Sequence, residues 1–199
     1  MNKNIFNQDY TISRNDREKK NKHNAFLILL TGLSGSGKSV VANHLDKKLF
    51  SESLHTYALD GDNIRLGICN DLGFSSEDRN ENLRRVAEIS KLMIDAGLIT
   101  IAAFVSPYKK SRAMIKEIVG AHNYVEVYVS TSIEVCEKRD TKGLYAKARK
   151  GDIKDFTGIS SPYEVPENAD VIIDTDKISL EDSVNQIYNF IENKLSLSS

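Results

Sequence analysis

The residues Gly32-Leu33-Ser34-Gly35-Ser36-Gly37-Lys38-Ser39 satisfy G-x-x-x-x-G-K-[ST], a pattern in which every fixed position has work to do at a polyphosphate. Glycines let the chain wrap so that several backbone N–H groups converge on the β- and γ-phosphates, in conformations that a Cβ obstructs. A helix starting directly after the loop adds the positive end of its dipole. Lys38 places a point charge on the phosphates as they gain negative charge, and the Ser39 hydroxyl can ligate Mg²⁺. Such a loop needs a buried strand before it and a helix after it. Residues 25–30 (AFLILL) read as the strand, and Val41, Ala42, Leu45 and Leu49 recur at helical spacing. A nucleoside-triphosphate site follows. No N-K-x-D triplet is present to read guanine, and 199 residues leave little room for motor or AAA-type additions. A small P-loop kinase is the class that remains.

The rest of the chain repeats the strand–helix rhythm. Residues 55–59, 98–105, 124–129 and 171–173 read as further strands. Leu83, Val86, Ala87, Ser90 and Ile94 mark a long amphipathic helix ending near Gly97, and a second helix is expected over about 110–119. Thr131 and Glu134 have capping-box spacing and open a short helix carrying Val135 and Cys136. Leu180, Val184, Ile187, Ile191 and Leu195 stripe a closing helix. The expected architecture is a three-layer α/β fold of the P-loop NTPase and kinase type, with a mainly parallel five-stranded sheet. Residues 1–24, polar and charge-rich, read as an arm or short helix outside the core, and 25–199 as the kinase domain.

One stretch departs from the rhythm. Between about 141 and 164 apolar residues thin out, glycines stand at 143, 151 and 158, and Lys142, Lys147, Arg149, Lys150 and Lys154 cluster. It reads either as a solvated loop or as a mobile lid whose cations meet phosphates on closing.

Composition narrows the partners. With 40% apolar and 28% charged residues and a net charge of −1, the chain has a soluble globular profile without the basic surplus that nucleic acid or an anionic membrane would call for. Any anion site must be local. Cys69 and Cys136 are far apart and lack C-x-x-C spacing, so neither a disulfide framework nor a zinc site is expected. The first ten residues carry no apolar core of signal-peptide length, and the longest apolar run, 25–30, is too short to span a bilayer. A cytoplasmic location is expected.

Further motifs lie outside the phosphate loop. Asp60-Gly61-Asp62-Asn63-Ile64-Arg65 follows the second strand. Asp71-Leu72-Gly73-Phe74-Ser75 and Asp78-Arg79-Asn80-Glu81-Asn82-Leu83-Arg84-Arg85 lead into the long helix. Phe104-Val105-Ser106-Pro107-Tyr108 closes the third strand, Cys136-Glu137-Lys138-Arg139-Asp140 and Lys142-Gly143-Leu144-Tyr145 enter the basic stretch, and Phe156-Thr157-Gly158-Ile159 and Pro162-Tyr163-Glu164 leave it. Taken in order, over about residues 25–176, these motifs resemble the adenylyl-sulfate kinases, which phosphorylate the ribose 3′-OH of adenosine 5′-phosphosulfate.

The resemblance implies ATP as phosphoryl donor, Mg²⁺, an adenylyl sulfate acceptor and a homodimer. By the same likeness Arg65, Arg79 and Asn82 contact the acceptor and Phe74 and Phe156 sandwich its adenine. Val105, Lys142, Leu144 and Thr157 add substrate contacts, and Arg139 joins residues 32–39 at the nucleotide. It also makes the basic stretch a lid, with Lys142 and Arg149 expected to approach the phosphates on closing. The residues themselves agree with this reading. Asp60 ends a strand beside the phosphate loop, where a carboxylate can orient Mg²⁺ waters or accept the acceptor's proton, and Asp62 can share that role. Arginine forks suit oxyanions better than lysines do. Ser106 stands where the family has been described as forming a phosphoserine. Direct in-line transfer, with Ser106 contacting substrate, is the simpler route, because a nucleophilic serine needs an activating base. Lys109 and Lys116 stand where arginines are common in the family, and Ser39 where threonine is frequent. A different small-molecule kinase has no need of the paired arginines and aromatics, and a non-catalytic domain of this fold should have a damaged phosphate loop. Residues 32–39 are complete.

Overall fold

In the computed structural model, which describes residues 4, 6 and 8–197, five strands build one sheet: β1 (Leu27–Gly32), β2 (Thr56–Asp60), β3 (Ile99–Ala103), β4 (Tyr124–Val129) and β5 (Val171–Ile173). Every pairing is parallel and the spatial order is β2-β3-β1-β4-β5. Among the described residues eight α-helices connect and cover it: α1 (Arg14–Asn21), α2 (Lys38–Ser51), α3 (Gly61–Leu66), α4 (Ser76–Asp95), α5 (Lys109–Val119), α6 (Ile133–Arg139), α7 (Leu144–Lys150) and α8 (Leu180–Leu195).

The apolar run at 25–30 owes its continuity to a central strand buried on both faces. Leu27 and Leu29 pack with Leu83, Val86 and Ile115 of α4 and α5, whereas Phe26, Ile28 and Leu30 pack with Leu45, Leu49, Ile187 and Ile191 of α2 and α8. The ladder itself starts two residues later than the run. The Ala25 N–H donates to Glu18 Oε1 at 2.8 Å and its carbonyl accepts from Arg14 Nη2 at 2.6 Å, which ties this residue to α1. At the other end Thr31 and Gly32 still pair, with Tyr128 and Val129. The N-terminal polar segment thus contains a helix capped by a Ser13–Asp16 box and attached to the sheet by hydrogen bonds.

Three other sequence expectations change. The long helix begins at Ser76, well before its apolar stripe, because the Ser75 hydroxyl accepts from the Asp78 N–H at 3.1 Å and caps it. The cap of α6 is Ser132 and not Thr131. Thr131 turns its hydroxyl inward instead, to the Ser36 carbonyl and to Thr175 Oγ1. The stretch 141–164 carries α7 and its own small core, in which Tyr145, Ala148 and Phe156 pack on Cys136, so it is more than a solvated loop.

The topology fixes where a ligand must sit. From β1 the chain runs to the far edge for β2, returns through β3 beside β1, and then crosses to β4 and β5 on the other side. The carboxyl ends around that reversal leave the crevice in which open α/β sheets bind ligands. The phosphate loop follows β1, Asp60 ends β2 and Ser106 follows β3.

Stability should track this burial. Ile101→Ala, deep between the two helical layers, is expected to cost about 2–5 kcal/mol in a urea melt, and the exposed Leu66→Ala less than about 0.5 kcal/mol.

Candidate active site

A cavity of about 1100 Å³ opens at those carboxyl ends. Its donor half is the phosphate loop. Gly37 caps α2 at φ 96°, a left-handed conformation that favours glycine, and a Cβ on Gly32 would lie 2.5 Å from the Val129 carbonyl. Lys38 is buried, and its ammonium donates to the carbonyls of Gly32 at 2.9 Å and Leu33 at 2.7 Å. Burial pulls its pKa down from the ordinary lysine value to about 8. Ser34, Gly35, Gly37, Lys38 and Ser39 line the cavity. Gly32, Leu33 and Ser36 do not, and act from behind by fixing Lys38 and packing against β4 and the 141–164 stretch.

The loop is braced from three sides. Thr175, just after β5, donates to the Ser36 carbonyl at 2.8 Å and accepts from Arg139 Nη1 at 2.8 Å, which places Arg139 at the cavity wall. Tyr145 of α7 donates its hydroxyl to the Ser34 carbonyl at 2.9 Å. Thr131 supplies the third brace. Sequence reasoning did not single out Thr175. A lone threonine past a short strand carries no local signal, and only the parallel register of β5 brings it under the loop.

Asp60 sits where β2 ends. Its Oδ1 accepts from the Asp62 N–H at 3.0 Å, capping α3, and its Oδ2 accepts from the Ser39 hydroxyl at 2.6 Å. Asp62 is occupied differently, since its carboxylate accepts from Lys142 Nζ. Among the described residues no group of three or more His, Cys, Asp or Glu side chains converges on a metal position. One hydroxyl beside one carboxylate is a poor cage for an all-protein cation site. It suits Mg²⁺, which keeps waters and takes phosphate oxygens.

A cationic recess lies across the cavity. Arg79 and Asn82, three residues apart, share a face of α4 and both line the wall. Arg79 reaches the Phe74 carbonyl through Nε at 2.8 Å and the Asp155 carbonyl through Nη2 at 2.9 Å, with Thr157 Oγ1 at 3.3 Å. Arg65 donates to the Gly73 carbonyl at 2.8 Å and lays its guanidinium over the Phe74 ring, 4.4 Å from the centroid. Burial, then the like charge of Arg65, lowers the Arg79 pKa, so the two forks share one electropositive recess.

Phe74 is exposed, whereas Phe156 is buried and meets Tyr145 edge-on at 5.0 Å. A base stacking on the Arg65 face of Phe74 has to displace that guanidinium. Two buried side-chain atoms here lack any protein partner: Asn82 Nδ2 and Ser106 Oγ. Polar groups in that condition at a cavity wall are suited to a polar ligand.

Val105, Lys142, Leu144 and Thr157 also line the cavity, but Arg149 does not reach it. Arg149 is held on the outer face of α7 by Glu137, at 2.8 and 3.0 Å. Asp140 has a structural role, its carboxylate accepting from the Tyr145 and Ala146 N–H groups at 3.0 Å.

A P-loop embracing a buried lysine, at the open end of a parallel sheet with a cationic recess opposite, defines a small P-loop phosphotransferase. Residues 24–174 match the sequence family described as adenylylsulphate kinase. The probable adenylyl-sulfate kinase of Halalkalibacterium halodurans is 52% identical over 181 residues, 91% of this chain and 90% of that protein. The adenylyl-sulfate kinase of Staphylococcus carnosus is 50% identical over 96% of each chain. Among solved structures, the Mycobacterium tuberculosis APS kinase in complex with AMPPNP and APS superposes with a TM-score of 0.82 at 41% identity, over 85% of this chain and 98% of that one. The chain belongs to the adenylylsulphate kinase family.

The depressed Lys38 pKa makes nucleotide affinity pH-dependent. Bound phosphates favour the ammonium, so nucleotide binding takes up a proton once the free protein has lost it. Affinity for ADP, measured by titration calorimetry, should fall as pH rises through about 8, by at most about tenfold per pH unit. Lys38→Arg should remove the dependence in that window, and a wild-type profile flat from pH 8 to 10 would contradict it.

Proposed function

We propose the following division of labour for ATP-dependent phosphorylation of the ribose 3′-OH of adenylyl sulfate, which yields 3′-phosphoadenylyl sulfate and ADP. The loop at residues 32–39 holds the ATP phosphates with backbone N–H groups, and Arg139 stands at the nucleotide's outer end. Lys38 leaves the Gly32 and Leu33 carbonyls to meet the β- and γ-oxygens, where its charge grows in value as the transferring group separates. Ser39 and Asp60 are the residues that would hold Mg²⁺, which when bound neutralises charge between the β- and γ-phosphates.

Arg65, Arg79 and Asn82 orient the phosphosulfate and ribose, Phe74 and Phe156 hold the adenine, and Val105, Leu144 and Thr157 shape the remaining wall. Asp60 accepts the proton of the attacking hydroxyl, with Asp62 the neighbouring alternative. Lys142 exchanges its Asp62 partner for phosphate oxygens when the 141–164 lid closes, which excludes water from the transferring group. Arg149, paired with Glu137, stays outside.

The observation that carries this reading is one cavity holding a complete phosphate loop on one wall and, on the other, two arginine forks beside two orphaned buried donors. Transfer is direct. The Ser106 hydroxyl makes no hydrogen bond to any side chain able to serve as its base, and a serine nucleophile requires one. Ser106 instead donates to the bound acceptor.

Homodimerisation is part of the same proposal and is supported by the family resemblance. Equilibrium sedimentation tests it. The cytoplasm is the proposed site of action, in keeping with an ATP substrate and two free buried cysteines. Among the described residues no helix is long and apolar enough to cross a membrane.

Two measurements test the chemistry. In a coupled ADP-release assay adenylyl sulfate should be turned over at least about a hundredfold more efficiently than adenosine 5′-monophosphate, since losing charge-assisted contacts to the sulfate costs about 3 kcal/mol. Equal efficiency on the two would remove the need for an arginine-built sulfate site. With chiral γ-thiophosphate the product should show inverted configuration, and retention would require the phosphoserine route.

A further inference from the structure

Arg112 lies on α5, outside the cavity wall, and is nearly as buried as the core around it, at 4% exposure. A guanidinium taken out of water needs partners, and here its three nitrogens reach three separate segments, two through hydrogen bonds and one through an ion pair. Nη1 donates to the Ser106 carbonyl at 2.8 Å, and Nη2 donates to the Glu164 carbonyl at 2.7 Å. Nε lies 2.8 Å from Glu126 Oε1 on β4, and the ring of Tyr163 is 5.9 Å from the guanidinium carbon. Two of those segments meet again without Arg112. The Glu164 N–H donates to the Pro107 carbonyl at 2.8 Å, and the Lys109 N–H donates to Glu164 Oε2 at 2.6 Å.

The segment so held has an unusual backbone. Ser106 has φ 42°, in the left-handed region that side-chain-bearing residues avoid, and it is buried. Such a conformation persists only where its surroundings over-determine it. The strongest hold on the Ser106 carbonyl is the Arg112 Nη1 bond, the Thr31 hydroxyl being more distant at 3.4 Å. The same conformation presents Ser106 Oγ at the cavity without a partner.

We propose that Arg112 is a positioning residue for the acceptor, fixing Ser106 in its left-handed conformation and pinning the end of the 141–164 segment to the same point. The inference rests on the reading of this wall as the adenylyl sulfate site. It assigns Arg112 no contact with substrate. A lysine here keeps the charge but cannot reach Ser106, Glu164 and Glu126 at once, because its three donors share one nitrogen.

The test is steady-state kinetics of full-length Arg112→Lys, varying ATP and adenylyl sulfate separately, in wild-type and Ser106→Ala backgrounds. The expected result is a loss of about tenfold or more in kcat/KM for adenylyl sulfate with KM for ATP within about twofold. In the Ser106→Ala background the further loss from Arg112→Lys should be less than about twofold, since both changes remove the same contact. If Arg112→Lys does not fold, Glu126→Gln leaves the guanidinium but removes the carboxylate that aims it. The same split at about threefold is then expected. Equal losses in both backgrounds, or KM for ATP rising in step with KM for adenylyl sulfate, would make Arg112 a general staple and overturn the proposal. A crystal structure of the folded variant decides independently of any assay. Ser106 should leave positive φ, and finding it unchanged refutes the positioning role. Turnover of adenylyl sulfate by the wild-type protein tests the reading beneath, so the two failures are distinguishable.

Discussion

The buried ammonium of Lys38 is the constraint around which the donor half is arranged. A chain with a net charge of −1 has no general field with which to collect polyphosphates, so the attraction must be built at one point and out of water. Burying a lysine is costly unless its donors are matched. The loop supplies the match itself, turning the Gly32 and Leu33 carbonyls onto the ammonium. That solution demands a backbone no ordinary residue could follow, since a Cβ on Gly32 would collide with the Val129 carbonyl. It also demands that the loop not relax. Thr175, Thr131 and Tyr145 hang on loop carbonyls for that reason, and they arrive from the end of β5, the end of β4 and α7 respectively. The sheet order is thereby tied to the chemistry, because only a parallel β4–β5 pair beyond β1 delivers two of those braces.

The opposite wall is built on a different principle. Arg65 and Arg79 rest on main-chain carbonyls, those of the turn before α4 and, for Arg79, that of Asp155 as well, and Arg65 lies over the face of Phe74. Hydrogen bonds of a guanidinium to neutral carbonyls are weaker than those to an oxyanion. The forks are therefore held in place without being committed, and an anionic acceptor can outcompete their resting partners. Lys142 with Asp62 follows the same logic across the cavity mouth, as an exposed pair that solvent already weakens. One wall of the cavity is fixed and the other is exchangeable, which is what a site needs if it is to hold a donor firmly and release a charged product.

How much of this could be read from the residues depended on whether the signal was local. The phosphate loop was legible because glycine spacing, a lysine and flanking periodicities all lie within a few dozen residues. The strands at 124–129 and 171–173 were legible to the residue, since their β-branched and aromatic runs stop abruptly at Asn123, Ser130, Asp170 and Asp174. Local rules failed where a tertiary partner outbid them. Thr131 had the right spacing for a capping box, yet Ser132, one residue on, serves as the cap and leaves Thr131 for the Ser36 carbonyl. Arg149 carried the right charge in the right segment, but helical geometry put it on the outer face of α7 within reach of Glu137. Thr175 had no sequence signal, because its importance lies entirely in the strand register. The motif order along the chain, rather than any single residue, pointed to the acceptor.

The same contrast explains why the proposed acceptor contacts are spread over so many segments. A phosphate loop can be encoded in eight residues because a strand, a turn and a helix N-terminus are consecutive in the chain. A recess for an adenylyl group with a charged tail needs aromatic faces, forks and single donors at separations no local element provides. They must come from the turn before α4, from α4 itself, from the end of β3 and from the stretch that leaves the lid. Each such segment is free to drift unless something connects them. Phe74 and Asp155 are linked by the Arg79 fork, and Thr157 shares that fork. The end of β3 is joined to the far end of the lid by main-chain bonds at Pro107 and Glu164. The proposed acceptor wall is therefore a set of loops whose relative positions are set by a few cross-links. Its precision depends on residues outside the cavity as much as on those that line it.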